Sequence, residues 1–280
     1  MADYAKDVLV ETQWVQDHLD DDSIRIVEVD ENPALYAEAH IPGAIGFDWQ
    51  KDLQDQVKRD FLGPKEFGEL FGGRGVSNDH TIVLYGDRNN WFAAYTYWYL
   101  MYYGHDKVKL MNGPREKWIE EGRPTTTEVP SHGSATFKAS GPDESIRAKR
   151  EEVQELLDSE TKLVDVRSPQ EYSGELIAMA GYEQEGAQRG GHIPGAANVP
   201  WAQAVREDGS FKPADELAQL YKGKGVADGN DVIAYCRIGE RSAHTWFVLH
   251  ELLGIDNVKN YDGSWTEWGN MVAVPIEKGV

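Results

Sequence analysis

The sequence predicts an α/β protein of two similar domains, each a mainly parallel sheet flanked by helices. Two observations carry this. First, landmarks recur in the same order about 150 residues apart. Ala39-His40-Ile41-Pro42-Gly43-Ala44 returns as Gly191-His192-Ile193-Pro194-Gly195-Ala196. Ile82-Val83-Leu84-Tyr85 returns as Val232-Ile233-Ala234-Tyr235, and Val108-Lys109 through Gly113 and Trp118 as Val258-Lys259 through Gly263 and Trp268. Val27-Glu28-Val29-Asp30 lines up with Leu163-Val164-Asp165-Val166. A period this long marks a duplicated domain, since solenoid units run about 20–50 residues. Second, short apolar runs alternate with helical patterns inside each copy, which implies right-handed crossovers between parallel strands.

In the first copy, strands are expected at 24–29, 81–85 and 108–110, with a helix over about 93–103. In the second, the apolar runs at 162–166, 231–235 and 258–261 read as strands, and 146–157, 213–221 and 242–253 as helices. Between the copies, Gly122 to Ser134 is rich in Pro, Gly, Ser and Thr and has no apolar period. The expected division is therefore a domain over 1–123, a linker over 124–145 and a domain over 146–280.

The composition narrows the function classes. Apolar residues make up 40%, with nine Trp and thirteen Tyr, which suits packed cores. The net charge of −20 argues against nucleic acid and anionic membrane surfaces as partners. The first seven residues lack a basic stretch leading into an apolar run, and no window approaches a membrane span. With one cysteine in the chain, a cytoplasmic location is expected.

That cysteine, Cys236, opens the hexapeptide Cys236-Arg237-Ile238-Gly239-Glu240-Arg241. It has no partner for an intrachain disulfide and no thiolate neighbours for a metal. The hexapeptide lies between a buried strand and an amphipathic helix, where open α/β sheets bind ligands. Such a loop turns backbone N–H groups inward at the positive end of a helix. Gly239 allows a backbone that a Cβ opposes. With Arg237 and Arg241 adding positive charge, the thiol is expected to ionise below its ordinary pKa of about 8.5 and to be a thiolate at neutral pH. Glu240 would work against this if it pointed inward, and is expected to face solvent or an arginine. His244 and His250, six apart on one helix, do not share a metal-binding face. No metal and no organic cofactor are expected.

These features together resemble the rhodanese superfamily, in particular its tandem-domain thiosulfate sulfurtransferases. The resemblance rests on Asp165-Val166-Arg167, both His-Ile-Pro-Gly-Ala segments, the Cys236 loop and Asp262-Gly263-Ser264-Trp265. It implies two rhodanese-like domains of which only the second is catalytic. The first copy agrees, having Gly86 where the second has Cys236. The resemblance further implies a mechanism. The Cys236 thiolate takes the outer sulfur of thiosulfate, sulfite leaves, and the persulfide passes its sulfur to cyanide, a thiol or a partner protein.

Arg237, Arg241 and Arg189 are the expected binders of the anionic donor, Arg189 by its match to a family arginine. Ile238, Gly239 and Glu240 complete the loop. Cys-Arg-x-Gly resembles the thiosulfate-using branch, whereas the mercaptopyruvate-using branch has Cys-Gly-Ser/Thr-Gly; 3-mercaptopyruvate remains the alternative donor and protein sulfur delivery the alternative role. Four residues separate Cys236 from Arg241, against five in the related phosphatases, which suits a sulfane sulfur better than a phosphate. Asp165 and Arg167 are expected to pair structurally. His40 and His192 are expected to be structural, and Trp265 and Trp268 to pack.

Overall fold

The computed structural model describes residues 3–227 and 229–279. They form two compact units. One comprises residues 8–143 with 205–211; the other comprises the described residues before Val8, residues 144–204 and those from Lys212 onward.

The first unit runs β1 (Leu9–Val10), α1 (Thr12–Asp17), β2 (Ile24–Val29), α2 (Leu35–Glu38), β3 (Ile45–Phe47), α3 (Trp49–Asp52), α4 (Pro64–Gly73), β4 (Thr81–Tyr85), α5 (Asp87–Tyr102), β5 (Val108–Met111) and α6 (Arg115–Glu120). Its sheet order is β1-β5-β4-β2-β3, with all pairs parallel. The second unit runs β6 (Arg147–Ala148), α7 (Arg150–Glu155), β7 (Lys162–Asp165), α8 (Pro169–Ser173), β8 (Ala197–Asn198), α9 (Ala214–Lys222), β9 (Val232–Tyr235), α10 (Glu240–Trp246), β10 (Val258–Tyr261) and α11 (Ser264–Trp268). Its order, β6-β10-β9-β7-β8, is the same and again all parallel. The central strands β4 and β9 are continuous apolar runs because helices cover both their faces.

The repeated motif has a structural job in both copies. His40 stacks on Tyr36 at 3.9 Å between ring centroids, and His192 on Tyr172 at 3.6 Å. Each His Nδ1 meets the carbonyl of its tyrosine, at 2.7 and 2.9 Å. The next residue, Ile41 or Ile193, donates its N–H to the hydroxyl of the central-strand Tyr85 or Tyr235. The segment thus fastens one loop to the sheet, and both histidines are structural.

Four expectations are corrected. Glu28 lies beside Tyr85 and Asp165 beside Tyr235, so Glu28 is equivalent to Asp165 and not to Val164. The helix expected from 146 is preceded by a short 3-10 turn and β6. The helix expected over 242–253 begins earlier, at Glu240, and becomes a π-helical stretch at Phe247–Leu252. Finally, residues 124–143 belong to the first unit and are no free linker. Phe137 is buried against Phe67 and Phe71, and the N–H groups of Ala135, Ser140 and Asp143 donate to carbonyls of Gly72, Tyr103 and Tyr102. One aromatic anchor and a line of backbone bonds hold a segment that has no apolar period.

Among the described residues, no helix is long and apolar enough to cross a membrane.

Candidate active site

β9 delivers Cys236 to the carboxyl edge of its sheet, and α10 leaves from Glu240. The segment that follows β10 fixes the loop between them. The Cys236 N–H donates to Ser264 Oγ at 3.0 Å, and that hydroxyl donates to the Tyr261 carbonyl at 2.6 Å. The carbonyls of Cys236 and Arg237 accept from the N–H groups of Trp265 and Thr266. Buried Asn260 donates to the Gly239 carbonyl and accepts from the Ser242 hydroxyl. Gly239 sits at φ 96°, and a Cβ there would lie 2.5 Å from Asp262 Cα. Conformation and space both require glycine at this position.

These ties place Cys236 Sγ, fully buried, at the centre of the loop. The Gly239 N–H donates to it at 3.2 Å. The thiol in turn donates to Glu240 Oε2, also at 3.2 Å. Glu240 therefore points inward, contrary to one half of the expectation. It also meets the other half, since its Oε1 accepts from Arg237 Nη2 at 3.0 Å.

The arginines are less available than their sequence suggests. Arg241 gives both terminal nitrogens to Glu171, at 3.0 Å each, deep in the unit. Through this pair it buttresses the loop. Burial alone would raise the Glu171 carboxyl, but Arg241 and the Ser168 N–H outweigh it and hold the group at about 2. Arg189 is likewise engaged within the fold. Its guanidinium donates to the carbonyls of Gly269, Val274, Trp268 and Met271, clamping that turn in place. Arg237 remains beside the thiol. Its guanidinium pairs with Glu185 at 2.9 Å as well as with Glu240, and lies over the Tyr182 ring. Its buried Nη1 has no hydrogen-bond partner among the described residues.

This charge pattern works against the expected thiolate. Burial pushes the Cys236 thiol up and the Glu240 carboxylate pushes it further; Arg241 and Ser242 pull it down without prevailing. Two arginines face three carboxylates, so the loop carries no surplus positive charge in this structure. His244, one turn along α10, stays neutral because burial lowers it to about 3. Among the described residues, no group of three His, Cys, Asp or Glu side chains could hold a metal ion.

A model of the rhodanese-like domain matches residues 11–121 and again residues 149–271. The chain belongs to the rhodanese family of sulfurtransferases. A Haloferax volcanii protein named "Putative thiosulfate sulfurtransferase" is 56% identical over 283 residues, covering 99% of each chain. "Sulfur carrier protein TtuD" of Thermus thermophilus is 57% identical over 277 residues, covering 98% of this chain and 97% of its own. Among solved structures, the 3-mercaptopyruvate sulfotransferase SseA of Escherichia coli superposes with a TM-score of 0.80 at 27% identity, covering 92% of this chain and 98% of that one.

In this chain the two loops have diverged beyond one substitution. At Gly86 an added Cβ would overlap the Val29 carbonyl oxygen. The Gly86 N–H donates to Asn90 Oδ1 at 2.9 Å, and the Asn90 amide donates to the carbonyls of Met111 and Gly113. A buried asparagine thus closes the first loop on itself. The charge pair below it has moved too. Asp165 and Arg167 bind at 2.6 Å in the second copy, with Arg167 over the Trp265 ring. In the first, Glu28 faces Arg115 at 3.4 Å. Trp265 and Trp268 are buried and donate to the carbonyls of Arg189 and Pro275, as packing residues do.

Sequence reasoning missed Glu171, Glu185, Asn260 and the hydrogen-bonding role of Ser264. One signal was present: Ser168-Pro169-Gln170-Glu171 has capping-box spacing, and the structure forms that box.

Proposed function

We propose that this rhodanese takes the outer sulfur of thiosulfate onto Cys236 and passes it to cyanide or a thiol. Cys236 Sγ attacks the outer sulfur, the bond between the two thiosulfate sulfurs breaks, and sulfite leaves with the electron pair. The acceptor then attacks the outer persulfide sulfur and Cys236 leaves as the thiolate. The observation that carries the reading is the position of Sγ: it is the chain's one thiol, held at the centre of a short loop with the Gly239 N–H directed at it. The same N–H and the spare Arg237 nitrogen suit a persulfide and a sulfonate. Gly86 and the closed first loop support catalysis in the second unit alone. A reducing compartment such as the cytoplasm suits an enzyme that must keep this thiol free.

Thiosulfate is favoured as donor by the name of the Haloferax relative and by Arg237, and Ile238 offers no hydroxyl for the mercaptopyruvate pattern. Rates with both donors on one preparation test the choice; faster turnover of mercaptopyruvate overturns it.

A second reading, delivery of the persulfide sulfur to a partner protein, is favoured by the Thermus relative's name at 57% identity. Slow discharge to cyanide and small thiols with fast discharge to one protein thiol would establish it. Fast discharge to small acceptors supports the first reading.

A further inference from the structure

One carboxylate touches both the reacting sulfur and the arginine beside it. Glu240 Oε2 accepts from Cys236 Sγ at 3.2 Å, while Oε1 accepts from Arg237 Nη2 at 3.0 Å. The side chain is 1% exposed, and the Ile238 N–H fixes its orientation at 3.2 Å. The groups facing this cluster are Arg237 and Arg241 from the loop and α10, Glu185 from the turn at 183–185, and Glu171 from α8. Arg241 gives both terminal nitrogens to Glu171.

We propose that Glu240 is the proton acceptor for Cys236 during sulfur loading, and that the proton it receives releases Arg237 to hold the departing sulfite. The inference rests on the sulfurtransferase reading above. The step balances. A neutral thiol, the Glu240 carboxylate and thiosulfate become a persulfide anion, the Glu240 carboxylic acid and sulfite. The bond formed joins Sγ to the outer sulfur, and the bond broken joins that sulfur to the sulfonate, whose sulfur keeps the electron pair. The proton passes along the existing contact from Sγ to Oε2. Once neutral, Glu240 holds Arg237 more weakly, and a doubly charged anion is then the stronger partner for the guanidinium. The proton returns when the acceptor discharges the persulfide and the thiolate re-forms.

The arrangement explains why a carboxylate that disfavours the thiolate stands inside the loop at all. It also makes a prediction whose sign separates two roles. If Glu240 only repels negative charge, removing its charge makes Cys236 more reactive. If it accepts the proton, removing it slows loading even though the thiol ionises more easily.

The experiment compares wild type with Glu240→Gln and Glu240→Asp, using thiosulfate as the probe. Single-turnover sulfur uptake is followed by intact mass, and the thiol is titrated by thiolate ultraviolet absorbance against Cys236→Ser. Expected for Glu240→Gln is a lower thiol pKa together with uptake slower by about 100-fold, the usual scale for losing a general base. Glu240→Asp keeps a carboxylate, draws it back from Sγ, and falls between the two. Thermal melts confirm that each variant is folded; should Glu240→Gln not fold, Glu240→Asp decides. Uptake as fast as wild type in the folded variants overturns the proposal alone. A wild type that takes up no sulfur from thiosulfate overturns the sulfurtransferase reading and the proposal with it.

Discussion

Glu171 and Arg241, seventy positions apart in the chain, meet as a two-fold hydrogen-bonded pair with both side chains about 3% exposed. The pair anchors the start of α10 to α8 and neutralises the loop's second arginine. Removing one partner of a buried pair leaves the other charge uncompensated. Glu171→Gln should lower stability by about 3–5 kcal/mol in denaturant titrations of the full chain. With the carboxylate gone, the Arg241 charge acts on the thiol unopposed, and the Cys236 pKa should fall.

In the wild type the thiol should titrate above an ordinary cysteine, because burial and Glu240 both favour the protonated form. Thiolate absorbance against pH, with Cys236→Ser as the blank, checks this. A thiolate fully formed at neutral pH would contradict the arrangement of charges described above.

Arg189 should behave as a clamp. Arg189→Met removes hydrogen bonds to four carbonyls at the end of α11 and in the segment after it, and should destabilise the protein, each bond being worth about 0.5–1.5 kcal/mol. The KM for thiosulfate, measured at a temperature where the variant is folded, should not change. A raised KM in a stable variant would return Arg189 to the substrate.

The first unit carries its own titration. Asp30 is pushed up to about 10 by burial, by its hydrogen bond with Glu28 and by the charges of Glu28 and Asp87. The fold therefore retains a proton that the unfolded chain releases near 3.8. That contribution is complete below the unfolded value and is lost as pH rises toward about 10. Asp30→Asn, which keeps a neutral side chain at every pH, should gain stability relative to wild type as pH rises across this window. Parallel denaturation curves at several pH values would show it, and a constant difference would contradict it.

Much of this architecture was legible in the sequence. The offset of about 150 residues disclosed the duplication, and the alternation of apolar runs and helical patterns disclosed the parallel sheets. The place of Cys236 after a buried strand located the loop. The alignment of Glu28 slipped by one because a run of apolar and acidic residues fits either register by composition; only pairing with Tyr85 and Tyr235 decides which side chain faces which way. The charge state of the loop was not legible. Arg237 and Arg241 read as free cations when their neighbours in the chain are considered, but the carboxylates that neutralise them come from Glu171 and Glu185, which only the fold brings near. The inward turn of Glu240 depends on the hydrogen bond to the Ile238 N–H, a contact no spacing rule supplies.

Gly86→Cys should not create a second sulfur site. The new Cβ meets the Val29 carbonyl, and Asn90 already holds the Gly86 N–H. Overpacking of this kind costs about 1–3 kcal/mol. The variant should melt lower than wild type and take up no more than one sulfur atom per chain; a second sulfur would show that the first loop can open.

The central claim is that Cys236 carries the transferred sulfur. Intact mass after brief exposure to thiosulfate tests it most directly. The wild type should gain one sulfur atom, lose it on addition of cyanide, and show no gain in Cys236→Ser. An unchanged wild-type mass, or a gain that persists in Cys236→Ser, would contradict the account.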